Sequence, residues 1–177
     1  FVSVLGFEHR EGLVMRRIIL HWTAGGNYPN ATDLLHYHFL IDKDGRVYEG
    51  KFKPEDNINC ADGRYAAHSG GGNTGSIGVA VCGMAGFNGK IGSTKYPLTA
   101  VQVEKMFALS AKLCRKYSIA ITPDTVLTHY EFGRAYPKTS SAGKIDITYL
   151  HPFPNIGKKD LGDFIRKKIK WYFQNKY

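Results

Sequence analysis

Apolar positions along the chain change period from one segment to the next, and the changes outline the elements. Arg17-Ile18-Ile19-Leu20 is a short β-branched run that ends at His21 and breaks into Thr23-Ala24-Gly25-Gly26, which predicts a buried strand delivering a histidine to a loop. His38-Phe39-Leu40-Ile41 and Arg46-Val47-Tyr48-Glu49 flank Asp42-Lys43-Asp44-Gly45, where Asp-Gly supplies the positive φ of a tight hairpin connection. In the extended stretch before that turn, alternation puts His36 and His38 on one face and Tyr37 and Phe39 on the other, leaving open an HxH pair or a tyrosine as the chemical feature. Residues 76–82 are apolar enough for the centre of a sheet. The period then lengthens: over 100–117, Val103, Phe107, Ser110, Cys114 and Tyr117 share one helical face, with Thr99 and Gln102 as a capping box. After Pro123, residues 125–128 predict a strand ending at His129. A second helix is predicted over 158–174, with Leu161, Phe164, Ile165, Ile169, Tyr172 and Phe173 on its stripe. Strands and helices interleave, so the expected fold is α/β, a single domain with a central mixed β-sheet flanked by helices.

A length of 177 residues suits one such domain, and no apolar run approaches the roughly 20 residues of a membrane helix. Residues 1–14 lack the basic start and continuous apolar centre of a secretory signal and precede Met15; they read as an N-terminal extension, with the domain proper at 15–177, its basic C-terminal helix included. Cys60, Cys82 and Cys114 are widely spaced and form no CxxC, which suits synthesis in a reducing cytoplasm. The charge is uneven. Residues 158–177 carry Lys158, Lys159, Arg166, Lys167, Lys168, Lys170 and Lys176 against Asp160 and Asp163, a large share of the chain's +9. Such a tail attracts polyanions: nucleic acid, anionic envelope polymers or lipid headgroups. No helix-turn-helix, aromatic RNA platform or zinc-finger spacing supports specific nucleic-acid binding. Its apolar stripe fits docking on the sheet with lysines as the solvated face, and Trp171, Tyr172 and Phe173 beside those lysines also suit an anionic interface.

His21 and His129 each follow a predicted strand, at the carboxyl ends where open α/β sheets place their sites, so one pocket is expected. Lys144 and Asp146, two apart in an extended segment, point to the same side. Two histidines and a carboxylate are a recurrent ligand set for catalytic zinc with a fourth position open. Lys144 could neutralise an oxyanion, and Tyr37 could hydrogen-bond the attacking water or that oxyanion.

The segments 21–26, 37–50, 67–79, 128–133 and Lys144-Ile145-Asp146 together resemble the zinc N-acetylmuramoyl-L-alanine amidases of the type 2 family, phage endolysins especially, in the family's order over about residues 15–155. The resemblance implies His21, His129 and Asp146 as ligands of one Zn2+, Lys144 and Tyr37 as catalytic groups, and His68, Asn73 and Thr23 in substrate binding. It settles the opening choice for Tyr37 over an HxH pair. It also implies peptidoglycan as substrate, a monomer made in the cytoplasm, and action on the cell wall after release in a phage-infected bacterium. A non-catalytic peptidoglycan recognition module on the same fold is the alternative. Two departures stand out: Ala80 occupies the position where some members carry a glutamate, and the sixteen positions from His21 to Tyr37 leave little room for a helix, which predicts a more open groove on that side.

Overall fold

The computed structural model describes residues 14–177, so the extension expected at 1–14, apart from Val14, lies outside the described residues. The expected architecture is present. Strands β1 (Arg17–Trp22), β2 (Phe39–Ile41), β3 (Val47–Glu49), β4 (Ser76–Val81) and β5 (Val126–Thr128) form one mixed sheet in the order β3-β2-β4-β1-β5. All neighbouring pairs are parallel except the β2–β3 hairpin. β4 is central and buried along its whole length, as its unbroken apolar run requires. The hairpin turn closes on Gly45 at φ 86°, and Asp42 Oδ1 accepts from the backbone N–H groups of Asp44 and Arg46.

Alternation along the strands divides the sheet into two unlike faces. Ile18, Leu20 and Trp22 of β1 and Ile77, Val79 and Val81 of β4 point into the main core. Helices α2 (Ala100–Tyr117) and α4 (Lys158–Lys176) cover that side and pack on each other. The opposite face carries Ile19, His21, Leu40, Gly78 and Ala80, and here a short α1 (Ala31–His36), α3 (His129–Ala135) and the loops at 66–75 and 139–147 do the covering. The thick apolar layer is thus on one side of the sheet and the chemistry on the other.

α1 corrects two expectations. The sixteen positions after His21 do hold a helix, because Asn30 and Asp33 make a reciprocal capping box that starts a six-residue turn at once. His36 therefore ends a helix, and the strand alternation assumed for 36–39 begins only at Phe39. α4 docks as its stripe predicted, burying Leu161, Ile165 and Ile169. One of its cations is not on the solvated face: Arg166 is buried and donates to Glu131 through both Nη atoms at 2.9 Å, to Asp163 at 2.8 Å and to the Val126 carbonyl at 3.0 Å.

Candidate active site

His21 sits near the carboxyl end of β1 and is fully buried on the sheet face away from α2 and α4. His129 opens α3 directly after β5; the Thr128 hydroxyl accepts from Glu131 N–H and the Glu131 carboxylate accepts from Thr128 N–H, so the helix start that aims His129 is fixed from both sides. Asp146 comes from the loop before α4. Tyr130 N–H donates to the Asp146 carbonyl, and the next residue, Ile147, is buried in the main core at φ 63°. A β-branched residue in that region costs on the order of 1–3 kcal/mol, held here by core burial right beside a polar site.

The three side chains converge. His21 Nδ1 lies 3.1 Å from His129 Nδ1 and 3.2 Å from Asp146 Oδ2, and His129 Nδ1 lies 3.3 Å from the same oxygen. Ligands about 2.0–2.1 Å from a tetrahedral zinc are separated by about 3.3–3.4 Å along the edges, so this triangle has the dimensions of three corners of such a site. Among the described residues it is the one group of histidine, cysteine and acidic side chains that could hold a metal ion. Burial lowers the His21 pKa to about 4, so the imidazole is neutral, the state a metal ligand needs.

His129 and Asp146 open onto a cavity of about 410 Å³ that Tyr37, Lys144, His36 and His68 also line. The Tyr37 ring packs 5.2 Å from that of His21, and burial pushes its phenol pKa up, so the hydroxyl keeps its proton. Lys144 is exposed at the rim. Ala80, in register with His21, is buried against Leu40 and Cys82 and brings no acid to the site.

Of the residues expected to bind substrate, Thr23 and His68 line this cavity, and all three also hold the local backbone or side chains in place. His68 is only 6% exposed; its Nδ1 lies 3.1 Å from His21 Nε2, and its ring lies so close over Gly78 that a Cβ there would come within 2.5 Å of it. Asn73 Oδ1 accepts from the N–H groups of His68 and Ser69, shaping the loop. Thr23 Oγ1 accepts from Gly25 and Gly83 N–H, bracing the turn after β1. His36 and His38 form no pair: His36 Nδ1–H donates to the Ala67 carbonyl, while His38 is buried between Asn57 Oδ1 and Gly78 N–H. Sequence reasoning passed over Ser141, whose hydroxyl lies 3.0 Å from His129 Nε2, and Ser69, 3.1 Å from His68 Nδ1. Ser69 lies within the 67–79 segment without a role attached to it, and Ser141 has no motif that would have singled it out.

The N-acetylmuramoyl-L-alanine amidase family model (Amidase_2) matches residues 11–146. No curated protein sequence matches the chain. Among solved structures it resembles the N-acetylmuramoyl-L-alanine amidase LysC from Clostridium intestinale URNW, with a TM-score of 0.54 at 20% identity over 90% of this chain and 88% of that one. A point variant of PlyL gives 0.54 at 20% identity, covering 89% and 87%. AmiD from E. coli, solved with an anhydro-N-acetylmuramic acid peptide, gives 0.53 at 16% identity, covering 87% of this chain and 57% of that one. These likenesses establish a shared fold, and the family match extends over far more than half the sequence: the chain belongs to the N-acetylmuramoyl-L-alanine amidase family of type 2.

Proposed function

We propose that this protein is a zinc-dependent amidase that cuts the bond between the lactyl group of N-acetylmuramic acid and L-alanine in peptidoglycan. The observation that carries the reading is the convergence of His21, His129 and Asp146, the last two at a cavity that Tyr37 and Lys144 also line. When bound, the zinc would lower the pKa of a water towards about 7 and polarise the scissile carbonyl. The remaining work belongs to the chain. The Lys144 ammonium neutralises charge developing on the carbonyl oxygen, and the protonated Tyr37 hydroxyl donates a hydrogen bond to it. With Ala80 in register with His21 and no carboxylate at that position, the amine of L-alanine leaves with the proton released by the attacking water. Action on the cell wall as a monomeric endolysin is the setting this chemistry suits, and the exposed lysines of α4 suit anionic envelope polymers as a second contact.

The test is digestion of purified sacculi with mass analysis. Release of muropeptides with free L-alanine amino termini, abolished by a chelator and restored by zinc, is expected. Tight binding to sacculi with no new amino termini would instead identify a recognition module.

A further inference from the structure

We infer that His68 and Ser141 are positioning residues that lock the tautomers of the two histidine ligands, each relay ending on a backbone carbonyl that can only accept. The inference rests on the metal reading above. One relay runs behind His21. His68 Nε2 faces the Ser76 carbonyl at 3.3 Å, so the proton of this buried imidazole sits on Nε2 and its Nδ1 presents a lone pair. That lone pair lies 3.1 Å from His21 Nε2, with the Ser69 hydroxyl alongside at 3.1 Å from the same Nδ1 and 3.4 Å from His21 Nε2. A bare His21 Nε2 would set two lone pairs against each other; a protonated one donates. His21 therefore carries its proton on Nε2, and its Nδ1 is bare.

The second relay is independent and reaches the same result. Ser141 has one hydroxyl proton, and its Oγ lies 2.8 Å from the Gly70 carbonyl, to which it donates. Toward His129 Nε2, at 3.0 Å, the same oxygen can then only accept, so that nitrogen is protonated and His129 Nδ1 is bare. Two bare Nδ1 atoms and the Asp146 carboxylate oxygen thus face one another at 3.1–3.3 Å with no proton between them. Three lone pairs so placed repel until a cation enters. If either relay is cut, its histidine can switch tautomer, put Nδ1–H onto Asp146 Oδ2, and close the site with a proton that competes with the metal. Each ligand thus has its own guard.

The packing supports a built device. Gly78 lacks a Cβ where the His68 ring lies, and the His38 ring stands edge-on behind it at 5.5 Å. His38 is itself fixed, accepting Gly78 N–H at Nδ1 and donating from Nε2 to Asn57 Oδ1, both at 2.9 Å.

The experiment uses the full chain stripped of metal. Long-range 1H–15N spectra of the imidazoles should show His21 and His129 as Nε2–H tautomers, and zinc titration against a competing chelator gives affinity apart from turnover. Ser141→Ala and His68→Leu should weaken zinc binding about 10-fold to 100-fold, the usual effect of removing such a partner. In each, the affected histidine should shift toward Nδ1–H. Ser141→Thr, which keeps the hydroxyl, and His68→Asn, which keeps an acceptor facing His21, should restore most of the affinity and remain informative if a harsher variant fails to fold. Parent-like affinity and tautomers in both Ser141→Ala and His68→Leu overturn the lock alone. A parent chain that binds no zinc overturns the metal reading and the lock with it.

Discussion

At the scale of single residues, the site divides into groups that would hold the ion and groups that would act on the substrate, and the two kinds of variant should fail differently. His21→Ala, His129→Ala and Asp146→Ala should lose zinc and activity in parallel, measured by metal analysis of the purified variants. Tyr37→Phe and Lys144→Ala should retain zinc and lose rate, about 100-fold to 1,000-fold for removal of an oxyanion donor; loss of metal in either would show a ligand or scaffold role instead. A third expectation concerns acid. Burial holds the His38 pKa down at about 4 against an ordinary value near 6.5, so between those values the unfolded chain binds a proton there that the folded chain does not. Stability of the metal-free protein should fall as pH drops through that window, and denaturation at pH 7 and pH 4.5 should show a smaller drop for His38→Asn.

At the scale of elements, much was legible. The strands near 17–22, 39–41, 47–49, 76–81 and 126–128 and both long helices follow from period alone, because long amphipathic stripes and β-branched runs are the strongest local signals. α1 and α3 are six and seven residues long, too short for a stripe, yet each has a readable capping box: Asn30 with Asp33, and Thr128 with Glu131. The convergence of His21 and His129 was legible from their places at strand ends. The relays behind them were not, since Ser141 and His68 meet their partners only through loops whose paths depend on the whole fold. Arg166 was counted as tail charge because its partner Glu131 is 35 positions away. That clamp makes a sharp forecast. A Cβ on Gly162 would stand 2.3 Å from the Glu131 carboxylate, so Gly162→Ala should destabilise the protein although alanine favours a helix by about 1 kcal/mol. Arg166→Ala should cost about 3 kcal/mol by leaving the carboxylate unpaired, read from denaturant midpoints.

At the scale of the whole molecule, the excess positive charge is sorted by what α4 has already used. Arg166 is clamped, and Lys168 is half-buried beside Glu104 and the rings of Phe153 and Phe164, so Lys167 and Lys170 are the outward cations of that stretch. Changing both to Gln should leave the melting temperature and turnover of a small soluble muropeptide nearly unchanged while weakening binding to intact anionic envelopes at low salt. Equal envelope binding by parent and variant would restrict α4 to packing. Packing, however, already reaches far: Glu131 is shared between the cap of α3 and Arg166 of the last helix, two residues from His129. During synthesis, every residue of the ligand triangle leaves the ribosome before the helix that steadies one of its corners. A nascent chain paused short of Arg166 would carry all three side chains and still lack the clamp behind His129, so the cell that makes this protein meets the steadied site only once α4 has been made.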